Sequence, residues 1–165
     1  MHTQTPVVRS ISWRLVIPQS VVLGLLILLS VLLFWKQYRF NSVALGALIY
    51  LTYSYGSRWL LLKDHRQGMV LTGQRNYEAA IEAFKKSYDF FSKNVWIDRY
   101  RSLTMMTPAS QSYREMALIN IAYCYVQLNN YEQAKAYYQR TLREFPDSSM
   151  AQAGLNYVES INTNS

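Results

Sequence analysis

The side chains able to carry out covalent or proton-transfer chemistry are few and scattered. Histidine occurs at positions 2 and 65 only, and cysteine only at Cys124. A histidine beside a carboxylate, as His65 is beside Asp64, is the smallest arrangement from which a general base can be built. Here Arg66 follows directly, and the Asp64-His65-Arg66 run reads as a solvated or interfacial stretch, while His2 lies in a polar lead. Cys124 stands between large neighbours, where a thiol behaves as a small buried hydrophobe, and a single cysteine excludes an internal disulfide. Glu78, Glu82 and Asp89 alternate with Lys85 and Lys86 at the spacing of a solvated helix face, with Glu82 and Lys86 attracting at i,i+4. There is no Gly-rich phosphate loop, no paired-cysteine metal motif and no Gly-x-Ser-x-Gly elbow. These residues argue against an enzyme, and they offer nothing for a metal or a cofactor.

Recognition is the chemistry left, and it needs elements that present side chains in order. Residues 115–148 supply them. Leu118, Ile121 and Tyr125 recur three and four apart, the stripe of an amphipathic helix, and Ala122 among them lets another backbone approach. Asn129-Asn130 breaks the pattern; Asn130 is a good N-cap, with Gln133 placed to complete a capping box, so a second helix starts near Tyr131. Its small face, Ala134 with Thr141, suits packing on the first helix. Pro146 ends it and biases Phe145 out of the helical region. Ser112-x-x-Glu115 caps the start of the first helix.

The order Leu118-x-x-Ile121-Ala122-x-x-Tyr125, Ala134-x-x-x-Tyr138-x-x-Thr141, Pro146 resembles the tetratricopeptide repeat. A degenerate second copy, over about residues 61–91, is read from Gly68-x-x-Leu71, Asn76-Tyr77 and Ala80-x-x-x-Phe84-x-x-Ser87, aligned on the Asn-Tyr-Glu that both stretches share. Asp64 and Gln67 stand where large apolar residues belong, and no proline closes that unit. An insertion, residues 92–111, separates the copies; it mixes Trp96, Ile97, Tyr100, Leu103, Met105 and Met106 with Lys93, Arg99 and Arg101, as expected of a helix extension and loop packed on the domain or of a patch resting on a bilayer. Residues 149–161, opened by Ser149-x-x-Gln152, form a capping helix that closes the array. The resemblance implies a concave groove lined by the first helix of each repeat. By matching position its candidate lining is Met116, Ile119, Asn120, Tyr123, Val126 and Gln127, with His65, Arg66 and Met69 from the degenerate copy. Asn120 is the most suggestive of these, because an amide can both donate to and accept from a peptide backbone.

Charge divides the chain. Residues 1–62 carry five basic residues and no acid, whereas residues 63–165 carry twelve basic and ten acidic ones, so most of the net +7 belongs to the N-terminal part. There the cations flank apolar runs instead of clustering on one face, which argues against nucleic acid and for a bilayer. Residues 1–12 read as a disordered lead. Residues 13–35 form an apolar run of 23 residues, about 34 Å as a helix, with tryptophan at each end. No small-residue cleavage site follows Ser30, which argues against a signal peptide. Residues 42–62 form a second, more polar run after a link of six residues. Together, residues 13–62 predict a transmembrane hairpin in which Ser20 opposes Ser57, Gly24 opposes Tyr53 and Ser30 opposes Ala47, with the second run continuing as one helix to Thr72.

The sequence thus predicts an all-α protein: a two-helix transmembrane hairpin, then residues 63–165 as a short array of helical hairpins with a capping helix. The expected function is that of a bacterial-type membrane-anchored adaptor or scaffold holding a protein or peptide partner at the membrane surface. The alternative is a structural or assembly subunit of a larger membrane complex, with contacts made mainly by the transmembrane hairpin. The expected location is the bacterial inner or plasma membrane with both termini cytoplasmic, because Arg9, Arg14, Arg58, Lys63, Arg66 and Arg75 outnumber Lys36 and Arg39 of the link.

Overall fold

The computed structural model describes residues 13–38, 41–107 and 109–163; the lead over residues 1–12 lies outside them. The described residues hold helices and no strand: α1 (Trp13–Tyr38), α2 (Asn41–Leu61), α3 (Lys63–Gly73), α4 (Tyr77–Lys93), α5 (Val95–Arg99), α6 (Arg101–Thr104), α7 (Tyr113–Gln127), α8 (Tyr131–Glu144) and α9 (Ser149–Thr163). The described residues fall into two compact units, one up to Trp59 together with those of 100–111, the other Leu60–Arg99 together with those from Ser112 on.

In the first unit α1 and α2 run antiparallel, and small residues set where they meet. The Ser30 hydroxyl donates to the Ser42 carbonyl at 2.7 Å, and a Cβ on Gly46 would stand 2.8 Å from Ile27 Cα. Ser42 and Gly46, one turn apart, therefore let α1 come close, the small-xxx-small spacing of helix pairs in lipid. The expected pairing of Ser30 with Ala47 is corrected by about one turn, because contact forms where backbones can approach and not at equal distances from the link. Hydroxyls are satisfied within their own helices, Ser20 on Val16 and Thr52 on Leu48.

The outside of α1 is apolar: Leu25, Leu28, Leu32 and Leu33 are exposed, Leu32 at 72%. Among the described residues, Val16–Phe34 is the one helical stretch long and apolar enough to cross a membrane. The two-span hairpin is corrected to one candidate span, because Thr52, Ser54, Gly56, Ser57 and Arg58 make the second half of α2 too polar, and the orientation argued from two spans loses its basis. Nor is α2 continuous to Thr72. It ends at Leu61, and α3 restarts at Lys63 with Leu62 between them.

The insertion is divided between the units. In the first, α6 packs on α1, the Tyr53 hydroxyl donates to the Leu103 carbonyl at 3.2 Å, and the Arg58 guanidinium donates to the carbonyls of Met105 and Met106. In the second, α5 leaves Asp98 buried, and its carboxylate accepts from the backbone N–H of Tyr113 at 2.8 Å and of Arg114 at 3.3 Å. A carboxylate at the start of α7 satisfies amides that no carbonyl of the helix can reach, and it complements the helix dipole.

Candidate recognition face

The second unit is two helical hairpins and a closing helix, and its two hairpins turn in the same way. After α3, Arg75 adopts the left-handed region at φ 60°, its N–H bonds Thr72 O at 3.0 Å, and the N–H of Asn76 bonds Leu71 O at 2.9 Å. After α7, Asn129 adopts φ 56°, its N–H bonds Val126 O at 3.0 Å, and the N–H of Asn130 bonds Tyr125 O at 2.9 Å. Both are Schellman closures. Each then passes to an asparagine N-cap, the Asn76 side chain accepting from Ala79 N–H at 3.3 Å and the Asn130 side chain from Gln133 N–H at 3.2 Å.

Packing repeats as well. On α4, Ala80, Phe84, Ser87 and Phe91 recur at helical spacing and are buried; full burial of a side chain such as Phe84 contributes about 1.5–3 kcal/mol. The Phe84 ring lies against Gly68, where a Cβ would come within 2.7 Å of it, and at the same position of the second hairpin the Tyr138 ring lies against Gly154 of α9. α7 is shared by both hairpins: Ile121 and Cys124 join Ala80, Ile81 and Phe84, whereas Ala122 joins Ala134, Tyr138, Ala151 and Val158.

Residues 116–148 and residues 65–94 each match a family model of the tetratricopeptide repeat. The chain carries two tetratricopeptide repeats. No curated protein and no solved structure matches it. The degenerate copy is thus a repeat in its own right, with Gly68 and Phe84 supplying the close contact that Asp64 and Gln67 could not.

In this tetratricopeptide unit the candidate groove residues separate into three groups. Arg66 and Met69 on α3 and Gln127 on α7 are exposed, Met116 and Asn120 are half-buried, and the Asn120 amide nitrogen lies 3.7 Å from the Met69 sulfur, joining the two first helices across one face. Tyr123, Ile119 and Val126 are half-buried at the edges, Tyr123 leaning on the cluster of the first hairpin and Ile119 and Val126 on that of the second. Burial, with smaller contributions from Tyr77 and Cys124, raises the Tyr123 phenol above its ordinary range.

His65 is corrected. It is buried, with its ring edge-on to Phe84 and Tyr113 at 5.4 and 5.2 Å between centroids and Nδ1 3.4 Å from the Ser87 hydroxyl. It therefore packs between helices and is neither solvated nor part of an open face. Cys124 is fully buried; burial raises its thiol, and the Thr72 hydroxyl 3.7 Å away pulls the other way.

Two groups escaped the sequence reading. Asp98 could have been suspected as the lone acid of the insertion. The other group gathers on Glu144, which accepts from the Tyr88 hydroxyl at 2.8 and 2.9 Å, from Arg114 at 2.7 Å and from Arg140 at 3.1 Å, while the Arg140 guanidinium lies 4.5 Å from the centre of the Tyr88 ring. Burial alone would raise the Glu144 carboxyl, but the Tyr88 hydroxyl and the two guanidiniums outweigh it and hold the group below the ordinary carboxylate range. Helices α4, α7 and α8 are pinned together there. The capping helix α9 begins at Ser149, but its N-cap is Ser148, whose hydroxyl accepts from Ala151 N–H at 3.4 Å. This moves the expected cap by one residue.

Proposed function

We propose that this protein is a membrane-anchored adaptor that holds an extended protein or peptide segment on the face shared by α3 and α7. The observation that carries this reading is the meeting of Met69 and Asn120 beside Arg66, Met116 and Gln127. Tetratricopeptide repeats are protein-interaction modules, and this face combines what such a contact needs: an amide to pair with a peptide backbone, two thioethers that adapt to apolar side chains, and a guanidinium for a carboxylate. Helix α1 supplies the anchor, because its leucines face outward and need an apolar surrounding. With two repeats the face is short, so affinity is modest, and anchoring raises the effective concentration of a partner confined to the same membrane.

A photo-crosslinking amino acid at Asn120 in native membranes tests the reading. The expected result is a discrete crosslinked protein that is absent when the same group replaces Gln139, which is exposed on α8. Crosslinks from Leu28 or Leu32 of α1 with none from Asn120 would instead support a structural subunit whose contacts run through the apolar helix.

A further inference from the structure

The first unit contains no aspartate or glutamate. Of its six lysines and arginines, Lys36 lies at the link end of α1, whereas Arg58 lies at the opposite end of the helix pair among exposed aromatic side chains. The contacts of Ser30 with Ser42 and of Gly46 with Ile27 fix the register of α1 against α2, and continuing that register places Ser57 and Arg58 beside the beginning of the Val16–Phe34 stretch. The end of α2 therefore lies level with one end of the candidate span. Helix α6 packs on α1 and is tied to α2 by Tyr53 and Arg58 at that same level. Around this end Tyr53, Tyr55, Trp59, Tyr100 and Leu103 are exposed, Tyr55 at 69% and Trp59 at 63%. Tyrosine and tryptophan in such a ring mark the depth at which hydrocarbon gives way to headgroups.

Arg58 is the distinctive residue of this ring. Its Nε–H and one Nη2–H are taken by the Met105 and Met106 carbonyls, which hold the guanidinium plane in place. A guanidinium has five N–H donors, so among the described residues three are left over, and backbone carbonyls do not neutralise its positive charge. The cradle is built, and the unit contains no aspartate or glutamate to pair with it.

We propose that this end of the first unit docks on the anionic headgroups of a phospholipid leaflet, with Arg58 holding a lipid phosphate through the donors that Met105 and Met106 leave open. Charge complementarity selects the partner. A wholly cationic unit with an aromatic ring level with the end of an apolar helix fits an anionic lipid surface, whereas a protein partner would have to bury the same ring away from lipid. In this role Arg58 joins the insertion to the bilayer: it grips Met105 and Met106 on one side and a headgroup on the other. The proposal rests on the membrane-anchored reading given above.

The full-length chain, released from detergent micelles into a mass spectrometer in the presence of equal amounts of phosphatidylglycerol and phosphatidylcholine, tests it. The wild type is expected to retain phosphatidylglycerol over phosphatidylcholine, and Arg58→Gln to lower that preference about fivefold, the effect of one basic residue at an anionic surface. Arg58→Lys, which keeps the charge, is expected to retain most of the preference, and this variant guards against simple loss of the insertion's fold. Equal retention of the two lipids by the wild type would overturn the proposal without reference to any variant. So would a preference that Arg58→Gln leaves intact, or displacement of the bound lipid by millimolar inorganic phosphate, which would show a site for free anions. Release of the chain from membranes by alkaline carbonate would instead overturn the anchored reading itself.

Discussion

The two units of this molecule use the same motif, an antiparallel pair of helices closed by a short turn, and they fill it in opposite ways. In α1 and α2 the contact is made by Ser30, Ser42 and Gly46, and leucine faces outward; in the repeats the contact is made by Phe84, Leu118, Ile121 and Ala122, while glutamate, lysine and arginine face outward. Under the proposed membrane anchoring, the difference follows from the solvent. In water a helix pair forms to remove apolar area, so large side chains go inside. In lipid the apolar side chains gain nothing by leaving their surroundings, so close backbone approach and a shared hydroxyl hold the pair. On the membrane-anchored reading proposed above, the first unit meets hydrocarbon and the second water.

Truncating a leucine in each unit is the sharpest way to test that inversion. Leu118→Ala removes a fully buried side chain, at a cost of about 2–5 kcal/mol, and should lower the melting temperature of the repeat unit markedly, whereas Leu32→Ala, at 72% exposure on α1, should leave helix pairing unchanged. Equal effects of the two would break the comparison. Enlarging a small residue should hurt both units. Ala134→Leu overpacks the contact with Ala122 at about 1–3 kcal/mol, read by thermal melting with Gln127→Leu as a nearly silent control. Gly46→Val should separate α1 from α2, read as loss of disulfide crosslinking between cysteines placed at Ser30 and Ser42 in a Cys124→Ala background.

A smaller effect is expected from pH, and only in the repeat unit. The folded state holds Glu144 below its ordinary range, so its contribution is complete above pH about 4.5 and disappears as pH falls through the lower folded value. Burial pushes the Tyr138 phenol up to about 12, so its contribution holds below pH about 10 and is lost as pH rises towards 12. The acid side of the melting profile should flatten in Glu144→Gln and the alkaline side in Tyr138→Phe; an unchanged profile in either would contradict the assignment. The smallest effect on folding is expected from Asn120→Ala. With the photo-crosslinking group moved to Gln127, it should weaken partner crosslinking while the helical circular dichroism and melting curve stay close to wild type. If it unfolds the unit, Asn120 is a structural amide and the face is misassigned.

Much of the repeat unit was legible in local signals. Asn76-Tyr77-Glu78 and Asn130-Tyr131-Glu132 announce the two turns, Ser112 is the N-cap that its spacing to Glu115 suggests, and Pro146 stops α8 where expected. Such features depend on residues a few positions apart, and one-dimensional spacing contains them. What was missed depends on approach in three dimensions. His65 looked solvated between Asp64 and Arg66, but the helix turns it inward while Arg66 is exposed and Asp64 half-buried. The register of α1 on α2 follows from where Gly46 meets Ile27, which no count from the link can supply. For the candidate face, matching positions between the repeats put Asn120 and Met69 on one list, and the two side chains do meet, but spacing could not supply the inward lean of Ile119 and Val126.

The Asp98 carboxylate, which receives the first amides of α7 from fifteen residues upstream, bears on how the unit unfolds. Arrays of repeats can lose structure from one end, because each hairpin touches only its neighbours. Here the second hairpin begins on a group supplied by the segment that ends the first, so α7 cannot fray without stranding a buried anion, and that segment cannot detach without freeing the start of α7. The bond acts as a latch on cooperativity: it binds two hairpins into one folding transition, and the intervening residues can vary in length so long as they bring that one aspartate back.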